Sequence, residues 1–375
     1  MGNGDLRGLF CGVLLMTTLS CAGKSSTAGS DGDGIWFNRT AKTDAAGLAW
    51  AAVASDSTGT QLAAVTSTGS LAAGGDVWTS ADSGATWSNR TTGTAASGHA
   101  WRSIASDSTG TQLVAVSAFT GIGPSGDEVW TSIDSGATWA QRTTVDSTAV
   151  YVLDPTVISD STGTHLVLAD GDIWSSENSG ATWTNRTTGT ATAAQNWVDL
   201  AADSTATRLV AITAYSDIWT SPDSGSTWIN RTAGTPASGH DWQSIASDST
   251  GTHLVAVCAE SITSAGVRYG GDIWTSSDSG STWTSHTASA GHEWLAVASD
   301  ASGAHLAAAA AHDTANDIWT SADSGATWSN STAGSTASGQ QWVAIASDSS
   351  GTHLVALSSG APGGGPCCFG DIWTD

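Results

Sequence analysis

Short apolar runs of four or five residues recur along the chain, among them Leu113-Val114-Ala115-Val116 and Leu254 to Val257, each bounded by Gly, Asp, Ser or Thr. Runs rich in β-branched and aromatic residues between turn formers predict strands in an up-and-down meander. Each unit reads as four strands. A Trp-led first strand is followed by a turn of the type Ser-Thr-Gly-Thr, an apolar second strand, and a loop of variable length. A short third strand such as Asp172-Ile173-Trp174, an eight-residue turn, and a fourth strand such as Trp183-Thr184-Asn185-Arg186-Thr187 complete it.

Two phrases set the register of these units. Ser-x-Asp-x-Gly-x-Thr-Trp occurs six times, from Ser80, Ser132, Ser176, Ser221, Ser276 and Ser321, with Asn178 in the Asp position of the third copy. From Asp82 through Asp134, Asn178, Asp223 and Asp278 to Asp323 the steps are 52, 44, 45, 55 and 45 residues. Interleaved with it, a Trp precedes an Asp by six positions at Trp50, Trp101, Trp197, Trp242, Trp294 and Trp342; Asp160 ends the same phrase in the third unit, where Asp154 replaces the Trp. A period in this range is large enough for one four-stranded propeller blade. The chain then ends on a third strand, Asp371-Ile372-Trp373-Thr374, and its first patterned segment, Ile35 to Thr40, reads as a fourth strand. The expectation is an all-β, seven-bladed β-propeller of four-stranded antiparallel blades, closed by an N-terminal strand that completes the C-terminal blade. Closure of that kind removes exposed sheet edges.

All twenty tryptophans fall on repeat positions in the first, third or fourth strands. Recurrence at strand positions predicts packing between neighbouring sheets rather than ligand platforms. The eight-residue phrase has its own local chemistry: the Asp carboxylate accepts backbone N–H bonds across the turn, Gly permits a positive φ, and Trp pins the turn to the blade. It resembles the Asp box, or BNR repeat, of sialidases, sortilin-type receptors and photosystem assembly propellers. In those families the boxes lie away from the active site, so the resemblance implies a scaffold more than an activity.

In such a meander the turns after the first and third strands emerge on one face, and the other connections on the opposite face. The first face carries near-identical turns. The second carries the variation, with loops between second and third strands that shrink around Asp170 to Asp172 and swell at Phe119 to Asp127, Ala259 to Gly271 and Ser359 to Gly370. Long irregular loops on a rigid frame are where binding sites reside. The candidate binding residues are therefore Arg102, Tyr151, Asp154, His240, Glu260, Arg268, Tyr269 and His292. Tyr151 and Asp154 lie where the third unit breaks its own pattern, and Glu260, Arg268 and Tyr269 lie in the long loop of the fifth. His99, His240 and His292 stand two residues before a first-strand Trp. Three histidines converging on an axis would suit a metal, but hydrogen bonding within their own loops is the expectation. No metal and no cofactor is expected. Asp76 and its repeats two residues before the third-strand Trp are expected to accept hydrogen bonds at the strand start.

The formal net charge of -23, with two lysines and nine arginines, argues against nucleic acid and against an anionic membrane surface as partners. At the N-terminus, Arg7, an apolar run from Leu9 to Leu19, and Ser20-Cys21-Ala22-Gly23 have the order of a secretory signal. The expected division is a signal over residues 1–21, with Cys21 as a lipidation site, a flexible linker over 22–34, and the propeller over 35–375. The expected location is extracellular or anchored to the outer membrane by the lipid, which would be the only membrane contact, and the expected state is a monomer. Outside the signal, Cys258 and the adjacent Cys367-Cys368 read as loop cysteines.

A sialidase is the enzymatic alternative that the repeat brings with it. That family needs three arginines around a substrate carboxylate, a Tyr nucleophile with a Glu partner, and an acid/base Asp. Here Arg39, Arg90, Arg142, Arg186 and Arg231 share one fourth-strand position, and Arg208 falls on the turn face, which leaves Arg102 and Arg268. The preferred reading is a non-catalytic exported propeller that binds a glycan or a protein on the variable face. An assembly-factor-like scaffold is a further alternative.

Overall fold

A computed structural model describes residues 36–67, 74–118, 127–145, 155–190, 192–193, 195–262, 268–286, 291–311, 316–359 and 370–375. The expected signal, Cys21, the whole expected linker, Tyr151, Asp154, Cys367 and Cys368 lie outside the described residues. Seven four-stranded antiparallel sheets follow one another along the chain. Blade one is Trp50–Ser55, Leu62–Thr66, Val77–Ser80 and Ser88–Asn89. Blades two to six begin at Trp101, Thr156, Trp197, Trp242 and Trp294. Blade seven takes Trp342–Ser347, Leu354–Ser358 and Ile372–Thr374 from the C-terminus and Phe37–Asn38 from the N-terminus. The first strands of successive blades touch in a closed circuit, that of blade seven against that of blade one.

No single core holds this molecule together; each pair of adjacent blades encloses its own. Side chains alternate across a strand, so every second strand feeds two such cores. In Leu113–Ser117, Leu113 and Ala115 pack toward blade one while Val114 and Val116 pack toward blade three. The second strands are accordingly buried at every position. None of the tryptophans is exposed, and first-strand and third-strand tryptophans of a blade meet edge to face, as Trp101 does with Trp130 at 6.4 Å and 75°.

The Asp-box turn is a knot of side-chain hydrogen bonds. In blade one, Ser80 Oγ donates to Asp82 Oδ1 at 2.8 Å and accepts from Gly84 N, while Thr86 donates its N–H and hydroxyl to the two carboxylate oxygens of Asp82. Two consecutive left-handed residues, Ser83 at φ 55° and Gly84 at φ 83°, give the turn its shape. Only the second was expected from the sequence. The missing Cβ of Gly84 also lets the turn approach the previous blade, since a Cβ there would lie 3.0 Å from Thr374 Cγ2 and 3.6 Å from Arg39 Cγ. The boxes thus serve packing between blades.

A second device encircles the axis on the same face. Ser57, Ser108, Ser161, Ser204, Ser249, Ala301 and Ser349 each donate a backbone N–H to the carbonyl of the next, and Ser349 returns to Ser57 at 3.1 Å. Each of these residues follows an Asp that comes directly after a first strand and is buried in every blade but the fourth, and that Asp organises the turn. Asp56 Oδ1 accepts from the N–H groups of Thr60 and Gln61 at 2.9 and 3.1 Å.

Candidate functional site

On the variable face, the three loop histidines serve their own blades. His99 Nε2 meets the Ala95 carbonyl at 3.1 Å and His240 Nε2 meets that of Pro236 at 3.0 Å, each closing its own loop. Each ring lies between the first-strand and third-strand tryptophans of its blade: His99 on Trp101 and Trp130, His240 on Trp242 and Trp274, His292 on Trp294 and Trp319. They do not converge, and the described residues contain no group of three ligating side chains suited to a metal. His240 is only 5% exposed, so its ring supports the face rather than presenting itself there. Arg102 donates from Nη1 to Ser67 Oγ at 3.1 Å, tying blade two to blade one at this face.

The described residues of the long loop of blade five form regular structure. Glu260–Ile262 and Arg268–Gly270 form a two-stranded antiparallel ribbon in the register Glu260 with Gly270 and Ile262 with Arg268. Its base is fixed on both sides: Ala259 N donates to the Asp241 carbonyl at 3.0 Å, and Gly271 N to the His292 carbonyl at 2.7 Å. The structure therefore brings five of the expected residues, His240, Glu260, Arg268, Tyr269 and His292, to one sector through their backbone. Arg102, on the first strand of blade two, lies apart from them.

Two residues in this sector were not singled out by the sequence reading. Tyr215, in the tight loop of blade four, is 62% exposed and held at φ 52°, a region that bulky residues rarely enter. Its neighbour Ser216 pairs with His240 at the foot of blade five. Asp199 lies on the first strand of blade four, where the repeat has Ala52, Ser103, Ser244, Ala296 and Ala344. Its Oδ2 accepts from Ser244 Oγ at 2.9 Å and Ile245 N at 3.0 Å, and its Oδ1 from Leu200 N at 2.9 Å and Thr156 Oγ1 at 3.4 Å, joining blades three, four and five. Burial pushes its pKa up to about 6, against the pull of those four donors. The departure from the repeat was legible in the sequence, but its position between three blades was not.

Elsewhere the repeated carboxylates are structural. Asp76 is held below the usual carboxylate range: burial opposes ionisation, but hydrogen bonds from Asn89, Thr91, Ser97 and Thr92 outweigh it. The fourth-strand arginines are pinned as well, Arg90 Nε on Thr79 Oγ1 at 2.7 Å and Arg186 Nε on Ser175 Oγ at 2.6 Å. Cys258 is buried, and its sulfur accepts from Asp272 N at 3.3 Å, where Thr66 in blade one accepts from Asp76 N at 2.9 Å. It is a strand-end residue rather than a loop cysteine. Four crevices lined by described residues lie between blades on the turn face.

These features define a seven-bladed propeller of the Asp-box kind, with a constant turn face and, on the variable face, an added two-stranded ribbon in blade five. No family model matches the chain, and no curated protein matches it. Among solved structures it is similar to YCF48 from Cyanidioschyzon merolae, with a TM-score of 0.63 and 14% identity over 91% of this chain and 98% of that one. It is also similar to YCF48 bound to D1 peptide, with a TM-score of 0.59 and 15% identity over 88% of this chain and 92% of that one. The GH74 xyloglucanase from Xanthomonas campestris gives 0.60 and 17% over 90% of this chain and 55% of that one. At these identities the likeness is one of fold.

Proposed function

We propose that this protein is an exported, non-catalytic propeller that binds an extended protein segment on its variable face, in the sector of blades four and five. The ribbon of Glu260–Ile262 and Arg268–Gly270 carries this reading, because it pairs with no other strand among the described residues. An unpaired strand edge offers a row of backbone donors and acceptors to an added strand. Exposed Tyr215 stands on the adjacent blade, and exposed aromatic residues favour protein contacts. A peptide-bound YCF48 shares this fold, so a propeller of this build can hold a peptide. The export of the chain rests on the order of charge, apolar run and small residues over 1–21.

Sialidase chemistry fits less well. It calls for three convergent arginines, and Arg39, Arg90, Arg142, Arg186 and Arg231 each donate Nε to a third-strand hydroxyl of their own blade.

The test is to pan a random peptide library against the full chain and against a variant in which residues 259–271 are replaced by one Gly. That is the connection Gly171 makes between Asp170 and Asp172 in blade three. Peptides that share a pattern and bind the full chain but not the trimmed one support the proposal. Equal binding to both, or signal confined to a glycan array, overturns it.

A further inference from the structure

One crevice on the turn face differs in kind from the others. Between blades four and five, Arg208, Leu209, Val210, Thr220, Ser221, Pro222, Arg231, Ser247, Gly251, Leu254 and Ser279 enclose about 160 Å³. An apolar cavity of about 150 Å³ is enough for a benzene ring. Leu209, Val210 and Leu254 are buried and form an apolar floor, while two guanidinium groups and several hydroxyls form the rim. No carboxylate lines it. The corresponding crevice between blades seven and one combines Arg39 with Asp375, and that between blades two and three has Gln112 and no arginine.

The two arginines have donors to spare. Arg231 uses Nε on Thr220 Oγ1 at 2.7 Å, and Arg208 uses Nη1 on Ser279 Oγ at 3.3 Å. Among the described residues, neither forms an ion pair, whereas Arg186 pairs with Glu177 at 3.2 Å. The box carboxylates that flank the crevice, Asp223 and Asp278, are each engaged by the Ser and Thr of their own turn, at 2.7 to 2.9 Å. Arg208 is also a departure from the repeat, which has Gln61, Gln112, His165, His253, His305 and His353 at this position. On a chain with a net charge of -23, such a pair is a local reversal of sign.

We propose that this crevice binds a carboxylate carried on an apolar body, with the guanidinium groups of Arg208 and Arg231 on the carboxylate and the leucine floor under the body. A planar guanidinium matches a carboxylate through paired N–H bonds, and a hydroxyl-lined rim satisfies the remaining lone pairs. The site is on the face opposite the ribbon and stands or falls independently of the peptide reading.

Titration calorimetry at fixed ionic strength tests it on the full chain, with benzoate and N-acetyl-leucine as probes and benzamide, N-acetyl-leucinamide and sulfate as comparisons. The carboxylates should bind saturably, at least tenfold more tightly than their neutral amides and than sulfate. Arg208→Gln, which installs the residue that blades one and two already carry, should weaken them at least tenfold without lowering the melting temperature. Side-chain N–H resonances of Arg208 and Arg231 should shift on titration. Tighter binding of N-acetyl-leucine would identify a chain-terminal carboxyl as the natural source, and tighter binding of benzoate a free aromatic acid. Equal binding of the amides, tighter binding of sulfate, or unchanged affinity in Arg208→Gln would overturn the proposal.

Discussion

Asn38 Nδ2 donates to Asp371 Oδ2 at 2.8 Å, joining the two ends of the chain across 333 residues of sequence. The bond is the same one that Asn89 makes to Asp76, also 2.8 Å, inside blade one. Around it, Thr40 Oγ1 bonds Asp371 and Arg39 Nε bonds Thr374, as Thr91 and Arg90 do for Asp76 and Thr79. The seventh blade is thus closed by the ordinary chemistry of the repeat, supplied from both termini. Asn38→Ala and Asn89→Ala should each cost about 2 kcal/mol in urea unfolding, for a lost bond to a carboxylate and lost turn contacts. Only Asn38→Ala should also speed hydrogen exchange across blade seven, because no covalent turn holds its fourth strand.

Six of the seven turns after the first strand place Gly at a left-handed position, and blade four places Ala206 there at φ 52°. A left-handed Ala costs roughly 1–2 kcal/mol, and losing its buried methyl about 0.8 kcal/mol. Ala206→Gly should therefore stabilise the protein by up to about 1 kcal/mol in chemical denaturation. The reverse change at Gly59 should destabilise by about 2–4 kcal/mol, since the new Cβ would also lie 2.7 Å from His353 Cβ.

Asp199 gives the pH dependence a particular sign. Its native pKa of about 6 exceeds the unfolded value near 3.9, so the native state holds the extra proton between those limits. Its contribution is present in full below about pH 4 and is lost as pH rises through about 6, by at most about 3 kcal/mol. Asp76, Asp248, Asp300 and Asp348 have the opposite sign, since their lowered values remove stability as pH falls below the usual carboxylate range. In Asp199→Asn, stability measured from pH 4 to pH 7 should lose its downward component. An unchanged profile would mean that Asp199 titrates normally.

Blade three already carries a natural substitution in its box. Asn178 Oδ1 accepts from Thr182 N at 2.8 Å and from Ser176 Oγ, while Nδ2 donates to Thr182 Oγ1 at 2.9 Å. The turn therefore needs the acceptor geometry more than the charge. Asp134→Asn should change stability by less than about 1 kcal/mol, and Asp134→Ala should cost about 1–2 kcal/mol, in parallel urea titrations.

Cys258 should resist alkylation in the native state, because its side chain is wholly buried. Mass spectrometry of the peptide that contains it, before and after unfolding, measures this directly. Cys258→Thr should be tolerated, as Thr66 and Thr213 occupy the same strand end and make the same bonds.

The repeat period, the strand order, the blade count and the closure of the ring were all determined by the sequence, and so was the burial of the tryptophans. These are local or periodic properties: a turn motif, an apolar run and a Trp at fixed spacing mean the same thing in every unit. His99 and His240 each hydrogen-bond a carbonyl of their own loop, as their place before the first-strand Trp suggested. What no spacing conveys is which unlike residues of different blades come together. Asp199 meets Thr156 and Ser244 from neighbouring blades, and Arg208 and Arg231 line one crevice together, while the crevices between blades two and three and between blades six and seven carry no arginine. In the long loop of blade five, Glu260–Ile262 and Arg268–Gly270 likewise pair as a ribbon, with its foot held by Asp241 and His292 from adjoining loops. Those encounters depend on the rotation from one blade to the next, and only the closed ring specifies it.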